Sequence, residues 1–321
     1  MMRRRFKDTI IALLKNNTVY YAIKRLVERF LLLFVFTAFL WFIVLGIPQL
    51  VGINPATYFI SPQEFIHTKN PAEAFHSQLE ILTRIFGFNQ PLYVQFFTYL
   101  KNMFTFNLGY DVVAHRSVAN ILFSALPYTV ILTIPPLIFQ TILAIYLGSI
   151  AAIKKGSWLD NLISNYMIVQ YNIPVFFITI VLWVIFAVVL KAIPLTYTNY
   201  ITQWQNIILD LKLYSIPWVI QTLVYGFPTR GLLMRNTMID TLDSDFIKYE
   251  RLAGLRERII RAHARRVSII PVAVRTAIDL AFVLSGDVFL EIFFGIPGLG
   301  FILYNAALAQ DFQLILGATF A

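Results

Sequence analysis

Cysteine is absent from the 321 residues, which excludes disulfides, thiolate metal sites and cysteine nucleophiles. No G-x-x-x-x-G-K-[ST] loop occurs either, so the chain has no phosphate cradle with which to bind and hydrolyse ATP itself. There is no H-E-x-x-H pair, and His67, His76, His115 and His263 are scattered along the sequence, which argues against a metal site or an intramembrane protease. Charge is scarce: 13% of residues are Asp, Glu, Lys or Arg, against 58% hydrophobic. With 29 Phe and 16 Tyr and a mean hydropathy of +0.70, the chain is too apolar for a soluble domain, which must cover itself with polar surface. It is a bilayer protein. No low-complexity tract or internal repeat stands out.

The longest charge-free windows lie between Arg29 and Glu64, Arg116 and Lys154, Asp160 and Lys191, and Lys212 and Arg230. A helix needs about 20 apolar residues to cross roughly 30 Å of hydrocarbon, so these windows supply four spans, centred near residues 38, 138, 175 and 222. A fifth is expected from Val267 to Leu290, interrupted by Arg275, Asp279 and Asp287. A sixth begins near Asp311, but "FQLILGATFA" at about 1.5 Å per residue covers about half a bilayer, and a last span cut short is expected.

Lys and Arg set the orientation. With the amino terminus inside, the inner segments carry nineteen of them and the outer segments six, the asymmetry of a positive-inside topology. The net charge of +9 is thereby explained without nucleic acid. The start, "MMRRRFKDTIIALLKNN", has too short an apolar core for a signal peptide and no small-residue cleavage site, so a cytoplasmic amphipathic extension is expected over residues 1–26. The first transmembrane helix follows over 27–48, an extracytoplasmic helical cap over 49–118 containing the amphipathic "AEAFHSQLEILTRIF", and a core transmembrane domain over 119–321.

Between spans four and five runs a basic inner loop, residues 236–266. Within it "YERLAGLRERIIRAHARRVSIIP" holds six arginines. Asp243, Ser244 and Asp245 are helix-start residues, Phe246, Ile247, Tyr249 and Leu252 can share an apolar stripe, and Gly254 is a stop. The pattern predicts a short helix, a glycine turn, and a second helix entering the membrane at Pro271. Charge alone fits a solvated loop that anchors topology.

The spacing of that loop resembles the coupling loop of binding-protein-dependent ABC importers. Further motifs agree: "GFNQPLYVQFFTYLKNMFTFNLG" (87–109), "ALPYTVILTI", "KKGSWLDNLI", "RNTMIDTLDSDFIKYERLAGL", and "EIFFGIPGLG" (291–300) with Asp311 and Phe312 eleven residues later. From about residue 22 onward the chain is similar to the B-type permease subunit of the oligopeptide, dipeptide and nickel ABC importer family. It differs in having Tyr249, Glu250, Arg251, Leu252 and Ala253 before the glycine, and a run from Gly254 to Pro271 about one residue shorter.

The resemblance implies an all-α polytopic membrane protein with about six transmembrane helices of the type I ABC importer permease fold. It implies partners: a second, homologous permease, two ATP-binding cassette ATPase subunits, and an extracytoplasmic substrate-binding protein. ATP and Mg would sit on the ATPases, with no cofactor, metal or catalytic residue in this chain. ATPase coupling falls to Asp245, Tyr249, Glu250, Arg251, Gly254, His263 and Pro271, with Glu250 and Arg251 as contact residues and His263 packing or hydrogen bonding within the arm. Glu291, Phe294, Pro297, Gly298 and Gly300 form the family's external motif, a rigid turn after span five. The implied substrate is a peptide, with oligosaccharides or nickel chelates as alternatives.

Three intramembrane charges stand out because such charges are costly unless they face water or a partner. Arg275 and Asp279 stand four apart and can neutralise each other. Asp287, eight beyond Asp279, is expected near the same face, bordering the translocation cavity and suited to a peptide amino group or a hydrogen-bonding sugar. Pro135, Pro136, Pro174, Pro217 and Pro228 are candidate kinks. A self-contained channel or secondary transporter leaves the coupling loop without a reason, and a membrane enzyme or scaffold finds no reactive constellation.

Overall fold

A computed structural model describes residues 17–60, 70–111, 116–197, 207–283 and 287–320. Most of the amino-terminal extension expected over 1–26 lies outside the described residues. The chain divides into two compact units, 1–121 with 306–321, and 122–305.

In the first unit, helix α1 (Asn17–Trp41) runs through a π-turn at Phe42–Gly46 into Ile47–Leu50. Tyr20–Leu50 is long and apolar enough to cross a membrane. Thr37, Trp41 and Leu45 are buried while Leu26, Val35 and Phe39 face outward, the distribution expected where hydrocarbon is the solvent. A 3₁₀ turn at Pro55–Phe59, capped by Asn54, packs with α2 (Pro71–Ile85) around Ala56, Ile60 and Leu82. The predicted amphipathic stretch is this α2. Next come α3 (Leu92–Phe104) and a minimal hairpin of β1 (Tyr110–Asp111) and β2 (Arg116–Ser117).

The second unit is mostly α4 (Val118–Ile153), which begins in the first, and the helices packed on it. Of the candidate kinks, Pro135 and Pro136 lie inside α4, a single helix of 36 residues, because tertiary packing can re-satisfy the backbone groups that proline frees. Pro174 does break its span: α5 (Trp158–Asn172) and α6 (Val175–Trp183, continuing as a π-turn to Val189) meet at 97°. Ile173, at φ −86° and ψ 129°, shows why, since a residue before proline is pushed out of the helical region. The third span is therefore a bent pair.

The window expected to hold the fourth span contains α7 (Ile207–Ile220), a π-turn at Gln221–Gly226, and α8 (Phe227–Leu242). Gly148 and Gly231 let α4 and α8 cross closely: a Cβ on Gly148 would stand 2.7 Å from the Gly231 carbonyl. After α9 (Asp245–Leu252), α10 (Glu257–Phe282) rises as one helix through Pro271. α10 ends at Phe282, short of the Leu290 expected for the fifth span, and then come α11 (Val288–Phe294) and α12 (Leu299–Leu308), bent by 80° and together apolar enough for a broken span or a re-entrant loop. Met234, Met238, Ile260 and Ala264 form the apolar seam between α8 and α10.

The last helix, α13 (Phe312–Phe320), groups with the first unit and not with the core expected over 119–321. Gln313 donates to the Leu108 carbonyl at 2.8 Å, and the rings of Phe320 and Phe104 lie 5.6 Å apart.

Candidate functional site

The basic loop folds into a defined arm. Helix α9 closes in a Schellman arrangement: Leu255 N–H donates to the Glu250 carbonyl at 3.1 Å and Gly254 N–H to that of Arg251 at 3.0 Å. Gly254 sits at φ +79° with open space around it, so the backbone conformation, and not crowding, calls for glycine.

Ile247 is fully buried against Ile260 and Ala264, whereas Tyr249 is 73% and Leu252 88% exposed. The single stripe expected for Phe246, Ile247, Tyr249 and Leu252 is thus split. At about 100° per residue Ile247 points away from Tyr249, and the outward face is Asp245, Phe246, Tyr249 and Leu252.

Within the arm, His263 Nδ1 lies 2.7 Å from Glu250 Oε1, and Arg251 Nε lies 3.1 Å from Glu257 Oε1. Lys248, 2.9 Å from Asp245, holds that exposed carboxyl below the usual carboxylate range. Glu250 and Arg251 are engaged inside the arm, and Tyr249 and Leu252 supply its free apolar surface. Pro271 lies within α10, beyond the arm.

Two further clusters occupy the second unit. Asp279 pairs with Arg275 at 3.1 Å and also with Arg230, whose place at the end of an uncharged window reads as a loop charge in the sequence. Arg230 is 1% exposed. Asp287 accepts from Gln221 Nε2 at 3.1 Å, the Tyr225 hydroxyl at 3.2 Å and Leu290 N–H at 3.3 Å. It caps α11 and lies beyond the end of α10, so helical periodicity from Asp279 is not what places it. All four charged groups line a cavity of about 380 Å³.

Glu291 is fully buried. Its carboxylate accepts from the Thr129 hydroxyl and from Phe301 N–H, each at 2.8 Å, while Thr129 Oγ1 accepts from Leu299 N–H at 2.8 Å. A Cβ on Gly298 would fall 2.4 Å from this carboxylate, and one on Gly300 3.0 Å. The glycines of the motif exist to let Glu291 clasp the α11–α12 turn onto α4. Gly295, at φ +65°, ends α11, and Phe294 packs fully buried beside Leu132 and Tyr197.

Sequence reasoning missed Asp160 as well. Its carboxylate is gripped by Arg235 at 2.6 and 2.7 Å and by Ser164 and Gly156 N–H, tying the turn before α5 to α8. A separation of 75 residues leaves no trace in local spacing. Among the described residues no group of three or more His, Asp or Glu could hold a metal ion.

A helical fold of several apolar spans, with a buried carboxylate clasp and a structured basic arm, is that of a polytopic membrane protein. The chain belongs to the family of binding-protein-dependent transport system inner membrane components, whose pattern matches residues 144–321. It is 28% identical to the dipeptide transport system permease protein of Lactococcus lactis, covering 94% of this chain and 91% of that protein. It is 28% identical to the oligopeptide transport system permease protein of Haemophilus influenzae, over 93% and 90%. The glutathione transport system permease protein of Escherichia coli is 27% identical over 84% and 88%.

Proposed function

We propose that this chain is the permease subunit of an ATP-driven importer of short peptides, with its amino terminus in the cytoplasm. The observation that carries this reading is the outward face of α9. Tyr249 and Leu252 project from a helix whose opposite side is pinned by Ile247 and by the Glu250–His263 pair. An isolated exposed apolar patch on a rigid mount is what a docking element presents.

In the mechanism, ATPase subunits that hold ATP and Mg receive α9. Closure of their dimer pushes the arm, and because α10 continues unbroken into the membrane, the push becomes a tilt of α8 and α10, a rigid-body motion and not a chemical step. A second, homologous permease completes the pathway, and an external binding protein delivers substrate. Names of relatives that carry dipeptides, oligopeptides and glutathione support peptide cargo. The excess of Lys and Arg in segments 1–29, 154–160 and 230–266 supports the orientation.

Reconstitution of the assembly in vesicles tests this reading. ATP-dependent uptake of trialanine, abolished by Gly254→Trp, is expected. Uptake without ATP, or uptake indifferent to that substitution, would contradict it.

A further inference from the structure

The cavity between α4, α8 and α10 is lined by charges of both signs held by two different sets of partners. Arg230, Arg275 and Asp279, paired with one another, sum to one positive charge, and Asp287, held by Gln221 and Tyr225 instead, adds a negative one. Arg230 is buried, and its Nη2 is spent on Asp279, yet Nε and Nη1 have no partner. Leaving donors of a buried guanidinium unmet costs free energy that a packed apolar residue would avoid.

Space for these donors is built in. A Cβ on Gly226 would lie 2.1 Å from Arg230 Nη1 and 2.2 Å from Gln140 Oε1. Glycine at the π-turn therefore leaves room for the guanidinium, and the ion pair to Asp279 fixes its plane. Asp287 already takes three donors, and a carboxylate has about four acceptor sites, so one position remains.

Resting on the peptide reading above, we propose that this cavity is an intramembrane subsite for a zwitterionic peptide, with the free N–H groups of Arg230 taking the α-carboxylate and Asp287 taking the α-ammonium. An uncharged sugar would have no use for charges of both signs, and an anionic chelate would be repelled at Asp287.

The test compares the full importer in vesicles with trialanine, trialanine amide and N-acetyl-trialanine. Each variant's ratio of uptake rates is divided by the same ratio for the wild type, so the preference of the external binding protein, identical in both, cancels. Arg230→Met keeps an unbranched aliphatic stem without the guanidinium and leaves Asp279 paired with Arg275. It is expected to reduce the preference for free acid over amide roughly tenfold, the worth of one charged hydrogen-bonded contact. Asp287→Asn is expected to reduce the preference for free amine over N-acetyl by a similar factor, and decides alone if Arg230→Met fails to assemble. Ratios unchanged within about twofold, or all three peptides declining in parallel, would overturn the subsite. A wild-type importer that moves none of the three would instead overturn the peptide reading itself.

Discussion

Glu250 and His263 face each other at 2.7 Å across the turn between α9 and α10. Together with the Arg251–Glu257 pair, the Ile247 anchor and the glycine cap, this contact makes the short helix and the long one behave as a single lever. Glu250→Ala is predicted to cost about 1 kcal/mol, the usual worth of a half-exposed pair. Transport should fall several-fold more than ATPase binding does. Parallel assays of uptake and of ATPase co-purification check this.

Gly254 carries a conformational demand with no steric one. Gly254→Ala should cost about 1 to 2 kcal/mol, the penalty for an L-residue in the left-handed region, and Gly254→Asn less. The loss is local: hydrogen exchange should speed up across residues 245–260 while α4 and α8 keep their protection.

Gly298 gives the opposite case. Its Cβ would strike the Glu291 carboxylate at 2.4 Å, and that carboxylate cannot yield while Thr129 and Phe301 hold it. Gly298→Ala is predicted to destabilise by about 3 kcal/mol or more, seen as a drop of several degrees in the melting temperature of the detergent-solubilised protein. Glu291→Gln, which keeps shape and one acceptor oxygen, should lose less.

These positions were unequally legible in the sequence. The uncharged window before Lys154 announced α4 because its whole circumference is apolar. The glycine cap announced the end of α9 through turn chemistry alone. Which proline would bend its helix was not legible: Pro135 and Pro136 sit within a continuous helix, while Pro174 follows a residue held extended. Arg230 closed an uncharged window and so read as a loop charge, and its pairing with Asp279 from 49 residues away belongs to tertiary structure. Ile247 was placed on the wrong stripe because eight residues hold barely two turns, and the burial of one side is decided by α10.

Asp160 and Arg235 make a bidentate pair with the carboxylate 2% exposed. Breaking such a pair from one side leaves a buried charge. Asp160→Asn is predicted to cost about 3 kcal/mol, and Asp160→Asn with Arg235→Met to recover part of that loss. Thermal unfolding of the two single variants and the double variant measures the coupling.

Docking of α9 onto ATPase subunits is tested at its root by purifying the chain from its native membrane with Tyr249→Asp and Leu252→Asp together, beside the wild type. Wild type should bring ATPase subunits with it. The double variant should fold, keep its partner permease, and lose the ATPases, because only the outward face of α9 has changed. ATPases that remain bound to the double variant, or a wild-type chain that emerges alone, would contradict the importer mechanism.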